Sequence, residues 1–322
     1  MTITRRTALL GGLGLALAGC APAYRGPERP VTIAAGEEGG FYLAFAEVLA
    51  AEVSRAEPRL HCTAVPTEAS VVNVERVRDG KADLGLVLAD VAQSALAGRA
   101  PFPAPVPVQA LGRVYENYLQ LVVRADDHFA QLRDLAGRPV SVGAGGSGAA
   151  QLGERVFAAA GVSVVAQHLP LADAIAALQS QRIDALLWSG GLPTPALAEL
   201  NRTTPLALLP LASVIPALRA KHGPVYEQVQ VPAGAYAGVG APATIGVANL
   251  LVCAPRLPSD VAAAVVRVLA GRAADLVPAQ AVGTQFLDVR TLIGTQPVPL
   301  HPGAADTYRA LHGGSALARL VA

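Results

Sequence analysis

Residues 31–88 read VTIAAGEEGGFYLAFAEVLAAEVSRAEPRLHCTAVPTEASVVNVERVRDGKADLGLVL, and their alternation decides the architecture. Val31–Ala34 is a short β-prone run and Gly36–Gly40 is a turn. Phe41–Arg55 then places Phe41, Phe45, Val48, Leu49 and Val53 at helical spacing. His61–Val65 is strand-like again. Thr67–Ser70 leads into a helix over Val71–Asp79 that Gly80 stops, and Asp83–Leu88 is a third apolar run. Strand, helix, strand, helix, strand predicts a parallel sheet with covering helices, because parallel neighbours need a crossover long enough to bring the chain back to the same end.

The pattern restarts after a Pro-rich loop at 101–107. Leu119–Arg124 reads as a strand, Phe129–Leu135 as a short helix and Pro139–Val142 as a strand. The glycine loop Gly143-Ala144-Gly145-Gly146-Ser147-Gly148 precedes a helix over Ala149–Ala160 that Gly161 ends. A strand reaching Ala166, a helix over Asp173–Gln179 and a strand over Ala185–Trp188 follow. After a Gly-, Ala- and Pro-rich segment at 230–246, Val247–Ala254 is a strand and Ser259–Leu269 a helix. Two α/β units, with the chain returning to the first after the second, predict two lobes around a cleft. Ligands bind at the carboxyl ends of parallel strands in such clefts.

Lys and Arg number 25 against 24 Asp and Glu in 322 residues, a net charge of +1 that excludes a basic nucleic-acid stripe on bulk charge. Charged residues make up 15% of the chain and mean hydropathy is +0.41, with Ala and Gly carrying much of it. At the N-terminus, MTITRRTALLGGLGLALAGC has a positive stretch at Arg5-Arg6 and an apolar run from Ala8 to Gly19, too short to span a bilayer. Residues 1–19 are therefore expected to be a signal peptide. Leu17-Ala18-Gly19-Cys20 resembles a bacterial lipobox, which implies cleavage before Cys20 and its lipidation. Residues 20–30 then form a flexible stalk. Thr4-Arg5-Arg6 has a twin-arginine character, so Sec and Tat export both stay open. No later stretch reaches ~18 uninterrupted apolar residues, and the mature protein is expected in the periplasm, held to the membrane by its lipid. Cys62 and Cys253 fit either one disulfide or two buried thiols.

Gly143, Gly145 and Gly148 match G-x-G-x-x-G between a strand and a helix, a turn that presents backbone N–H groups to an anion. A dinucleotide site would need an acidic residue about 20 positions on, where His168 stands. A carboxylate or similar ligand is the better expectation. Ser147 and Ser189 lack the flanking glycines of a hydrolase elbow. The 6 His show no metal-ligand spacing, so neither metal nor cofactor is expected, and no catalytic residue. Ser70 is placed to cap the helix at Val71 or to offer its hydroxyl to a ligand. Phe41 and Tyr42, after Gly39-Gly40, are either core or cleft lining.

Taken together these motifs resemble the TAXI class of TRAP-transporter solute receptors. The likeness rests on Gly39-Gly40-Phe41-Tyr42, on Thr67-Glu68-Ala69-Ser70-Val71-Val72-Asn73 and on Lys81–Gly85 followed by Leu88–Ala92. It continues through Leu135–Gly143 with Gly146-Ser147-Gly148 and through Ile183-Asp184-Ala185 with Ser189–Ala196. Val298–Ala304 with Tyr308 completes it. The resemblance implies an α/β, two-lobed periplasmic-binding-protein (type II) fold, with residues 31–118 and 247–322 in lobe 1 and 119–246 in lobe 2. It implies capture of a small organic anion such as glutamate, glutamine or 2-oxoglutarate, delivery to TRAP membrane subunits, and no enzymatic chemistry. Carried over, Gly40, Phe41, Tyr42, Ser70, Asn73 and Asp90 would face the cleft from lobe 1. Gly146, Ser147, Gly148, Ser189 and Thr194 would face it from lobe 2. Ala149, Leu192 and Ala69 depart from the pattern and shrink or depolarise the wall. Arg113 or Arg124 could add charge, Arg124 more naturally capping a strand end, and the hinge is expected around Asn117 and Val247. His301 and Pro302 would hold the C-terminal segment. The same cleft would serve a lipoprotein that senses a ligand and signals to a membrane sensor kinase.

Overall fold

The computed structural model describes residues 23–278 and 287–320. The signal sequence and Cys20 lie outside them. In chain order the strands are β1 (Arg29–Ala34), β2 (Leu60–Val65), β3 (Leu84–Leu88), β4 (Gln109–Arg124), β5 (Pro139–Ser141), β6 (Val165–Gln167), β7 (Ala185–Gly190), β8 (Leu206–Leu209), β9 (Tyr226–Gln230) and β10 (Ala243–Cys253). The helices are α1 (Phe41–Ala56), α2 (Ser70–Arg78), α3 (Ala89–Leu96), α4 (Gly148–Ala160), α5 (Leu171–Gln179), α6 (Pro195–Thr203), α7 (Ile215–His222), α8 (Ser259–Gly271) and α9 (Pro302–Leu320).

The strands form one hydrogen-bonded sheet that reads as two copies of a single plan. Lobe 1 has the order β2-β1-β3-β10-β4, and lobe 2 has β6-β5-β7-β4-β8. In each, three parallel strands are followed by an antiparallel strand that arrives from the other lobe: β10 beside β3, and β4 beside β7. β4 is 16 residues long because it serves both lobes. Its first half pairs with β10 and its second half with β7 and β8. Asn117 sits directly opposite Val247 in the β4–β10 ladder, at the point of crossing. Gly246 is required there, since a Cβ would stand 2.6 Å from both Glu116 Oε1 and Val229 Cγ1.

Apolar faces sort the helices. α1, α8 and α9 pack on one face of the lobe 1 sheet. α2, α3, α4 and α7 share a second core that runs between the lobes, and α5 and α6 cover the outer face of lobe 2. Tyr115 of β4 is fully buried and takes the rings of Phe41, Tyr42 and Phe45 edge-on at 4.9, 6.0 and 5.2 Å, tying α1 to the crossing strand.

Several expectations change. The helix expected over Phe129–Leu135 is only a 3₁₀ turn at Leu132–Leu135, closed by the reciprocal Gln131–Asp134 capping box. The strand expected from Leu119 starts ten residues earlier, at Gln109. The stalk is not free over its second half. Tyr24 is buried, its backbone N–H donates to Glu57 Oε2 at 2.7 Å, and its hydroxyl donates to the Pro27 carbonyl at 2.9 Å. Gly26 makes room for that ring, as a Cβ would lie 2.3 Å from the phenol oxygen. Cys62 and Cys253 are both buried free thiols, raised by burial to about 12. β1 and β3 separate their strands, which puts them about 14 Å apart at ~4.8 Å per strand, beyond disulfide reach.

Glu116 lies buried on β4 at the crossing. Oε2 accepts from the Arg113 guanidinium, while Oε1 is buried without a partner. Burial pushes its pKa up from 4.5 to about 7, against the pull of Arg113 and with help from Glu227. Between those values the folded protein keeps a proton that the unfolded chain has released, so this group makes stability fall as pH rises. The expected outcome is a melting temperature that declines from pH 5 to pH 8 in thermal melts. Glu116→Gln, which cannot ionise, should make that decline smaller.

Candidate functional site

The carboxyl ends of the parallel strands of both lobes meet at a small cavity of about 20 Å³, enough for one water-sized group. Lobe 1 contributes the loop after β1 (Gly36, Glu37, Gly40), Tyr42 of α1, Ser70 at the start of α2 and Leu88 at the end of β3. Lobe 2 contributes Ser147 and Gly148 at the start of α4, with Trp188 and Ser189 at the end of β7. Asn117 rises between them from β4.

A polar chain crosses this cavity. The Asn117 amide donates to Ser189 Oγ at 3.3 Å and to the Tyr42 hydroxyl at 3.4 Å. Tyr42 lies 3.4 Å from Ser70 Oγ, which accepts the Leu88 N–H at 3.1 Å. Asn117 therefore touches both lobes through one amide nitrogen. Its Oδ1 and the indole N–H of Trp188 are buried with no protein partner, one acceptor and one donor left over on residues that line the cavity. A buried polar group without a partner costs about 1–3 kcal/mol, so a ligand or water that answers both groups gains accordingly. Burial holds the Tyr42 phenol well above its ordinary pKa, so it is a neutral hydroxyl.

The amino ends of α1, α2 and α4 converge on the same point. Ser147 Oγ accepts the Ala150 N–H at 3.0 Å, whereas Gly40 and Ala69 supply no side-chain cap to α1 and α2. Helix amino ends carry partial positive charge and favour an anion. Among the described residues no Lys or Arg lines this cavity. Glu37 does, and it reaches across to lobe 2: its Oε2 accepts the first backbone N–H of α5, Leu171, at 2.7 Å. Burial raises the Glu37 pKa, that hydrogen bond opposes the rise, and Glu68 and Asp173 add to it.

The lobes are in contact around the cavity. A Cβ on Gly148 would stand 2.7 Å from both Ser70 Oγ and Leu88 Cδ1, so only glycine permits this closeness. Beside the cavity, and sharing Ser147 with it, is an open groove of about 500 Å³ between α3 and the 99–101 loop of lobe 1 and α4 of lobe 2.

With this geometry the comparisons have a clear meaning. Residues 33–310 match the family described as NMT1-like. The chain belongs to the NMT1-like family. Solved structures share its fold at low identity. The alkanesulfonate-binding protein SsuA of Xanthomonas axonopodis pv. citri, bound to MOPS, is 17% identical over 88% of this chain and 84% of its own, with a TM-score of 0.50. A protein of Bordetella bronchiseptica RB50 is 15% identical over 89% and 99%, with a TM-score of 0.56. The periplasmic binding protein BugD is 14% identical over 74% and 81%, with a TM-score of 0.51. The two-lobed α/β arrangement is thus a periplasmic-binding-protein type II fold.

In this NMT1-like chain the expected residues divide. Gly40, Tyr42, Ser70, Ser147, Gly148 and Ser189 line the cavity, and Gly146 faces the groove. Four do not reach the cavity. Phe41 packs against Tyr115 and under Gly191, whose Cβ would lie 2.5 Å from the Phe41 ring. Asn73 is a buried clamp: its amide donates to the Ala35 and Leu86 carbonyls at 2.6 and 2.8 Å, and its Oδ1 accepts from Thr67 at 2.6 Å. Asp90 is paired with Arg155 at 2.8 Å and accepts from Tyr226 at 3.2 Å, bridging α3 to lobe 2. Thr194 caps the turn before α6, donating to the Gly191 carbonyl at 3.0 Å.

Neither Arg113 nor Arg124 lines the cavity; Arg124 donates to the Leu178 and Ile183 carbonyls at 2.7 and 2.8 Å. His301 holds the start of α9 through the Leu257 carbonyl at 2.9 Å. The sequence pattern singles out neither Glu37 nor Trp188 as cavity residues, and it places Asn117 only at the hinge. Trp188, the single Trp of the chain, stands at the end of a strand, which was the available signal.

Asn73→Ala would strip two carbonyls and a hydroxyl of their buried partner. We expect a loss of about 3 kcal/mol in urea unfolding. Gly148→Val should wedge the lobes apart, read as a larger radius of gyration in small-angle X-ray scattering.

Proposed function

We propose that this NMT1-like protein is an extracytoplasmic solute receptor. It captures a small organic anion between its lobes and hands it to the membrane subunits of a transporter. One observation carries the reading: Asn117 Oδ1 and the Trp188 indole N–H stand buried and unanswered where three helix amino ends converge from both lobes. A carboxylate suits that point. One oxygen can accept from the indole while the helix ends stabilise its charge, and a ligand hydroxyl or amine can donate to Asn117. Closure is favourable only when a ligand binds the closed arrangement better than the open one, and contacts divided between lobes supply that difference. The crossing at Asn117 and Val247 is the hinge in this reading.

The finer assignment is a TAXI-type receptor of a TRAP transporter for glutamate-, glutamine- or 2-oxoglutarate-like solutes. Its support is the ordered run of motifs from Gly39 to Tyr308, of which Tyr42, Ser70, Ser147 and Ser189 meet at the cavity. Periplasmic location and a lipid on Cys20 belong to the same proposal and rest on the lipobox-like Leu17–Cys20. No helix among the described residues is long and apolar enough to cross a membrane. In this reading the protein acts by binding rather than chemistry.

Because Trp188 is the chain's single Trp and lines the cavity, its fluorescence reports binding directly. Titration of the purified protein with L-glutamate, L-glutamine, 2-oxoglutarate and succinate should change that emission for at least one of them, with matching heat in calorimetry. L-leucine should do nothing. Ser147→Leu should abolish the response while the circular dichroism spectrum stays that of a folded protein. Silence from all four acids, or an unimpaired Ser147→Leu variant, would overturn the reading.

A further inference from the structure

The cavity at Asn117 is about 20 Å³, while the groove that shares Ser147 with it is about 500 Å³, within the 300–1,000 Å³ range of small-molecule sites. The groove has walls from both lobes. Val71, Ser94 and Arg99 come from lobe 1, and Gly146, Gln151 and Arg155 are among those from lobe 2.

Its lining holds two arginines, Arg99 and Arg155, and one acid, Glu154, while Asp90 at the rim is the partner of Arg155. Glu154 lies 3.6 Å from His168, and Asp90 lies 2.8 Å from Arg155. Arg99 is exposed and has no acidic partner among the described residues. His222, on the groove wall, feels the consequence: burial and the charges of Arg155, Lys221 and Arg99 all push its pKa down. Gln151 adds a second kind of signal. Its amide nitrogen donates to the Ala100 carbonyl across the lobe boundary at 3.0 Å, while its Oε1 is buried without a partner on the groove lining.

We infer that the groove is a distal subsite for the same ligand, taking a second anionic group near Arg99 while the first group sits at Asn117 and Trp188. The inference rests on the receptor reading and narrows it. The preferred solute is an extended organic dianion, with a hydrogen-bond donor along its length for Gln151, rather than a compact acid. Arg99 is the specificity-determining residue. A charged head on an exposed stem holds a distal carboxylate when closure brings the two lobes together, and it contributes nothing to a ligand too short to reach it.

The test is calorimetry of the purified protein with two series of increasing chain length. One comprises the dicarboxylates succinate, glutarate, adipate, pimelate and suberate, and the other comprises monocarboxylates of matching length. Affinity should rise at least tenfold along the first series and stay level along the second. Arg99→Gln should flatten the dicarboxylate profile by weakening the longest acids at least fivefold, with the melting temperature unmoved, since Arg99 is exposed and makes no ion pair. If short acids bind and longer ones do no better, or if Arg99→Gln keeps the chain-length gain, the subsite is overturned and the receptor reading stands. If no acid of either series binds, both are overturned together.

Discussion

The antiparallel pairing of β4 with β10 is the constraint on which the rest of the molecule hangs. Each strand is made by one lobe and completes the sheet of the other, so the lobes are not two beads on a string. They share a backbone ladder, and the residues of that ladder sit at the floor of the cleft. Asn117 can touch Tyr42 of lobe 1 and Ser189 of lobe 2 only because β4 passes from one sheet into the next. Gly246 keeps the ladder narrow at the crossing, and register shifts after Asn249 and after Leu251 bend it further along β10. Glu116, buried against Gly246 and drawn by Arg113, puts a titratable group at that crossing.

The cavity works with dipoles and hydroxyls where a salt bridge might have been expected. Its one acidic side chain, Glu37, is turned to the amino end of α5 and so holds lobe to lobe. A cradle of neutral donors exacts a smaller desolvation cost than a buried guanidinium and still favours an anion through three helix ends. Full charge is kept outside, on the groove wall, where water screens it. That division, neutral donors inside and the guanidinium of Arg99 outside, is the physical basis for treating the two spaces as parts of one ligand site.

The residues that misled are instructive. Asn73, Asp90 and Thr194 are polar, sit near strand ends and belong to motifs that point to a cleft, yet each is fully buried and bonded to its own scaffold. A polar side chain near a strand end serves the backbone as readily as a ligand, and only the distances separate the two roles. Asp90 is the sharpest case, since its partner Arg155 lies 65 positions away on the other lobe.

Sequence alone determined the alternation of strands and helices and the division into two lobes, and six of the residues that line the cavity were expected from the family resemblance. These depend on local rules: period, glycine turns and helix starts act over a few residues and leave their mark in the order of letters. Tertiary structure decided the rest. It set the length of β4, because a strand shared by two sheets has no local signature. It turned residues 24–28 from stalk into part of lobe 1, because one buried tyrosine outweighs a run of prolines. It brought Glu37, Asn117 and Trp188 to the cavity from three separate elements. It also set a groove beside that cavity, where Asp90 and Arg155 pair across the lobes and Arg99 has no acidic partner among the described residues. Ion pairs and cavities are made by residues far apart in the chain, and their energies depend on distance and burial, which a sequence does not contain.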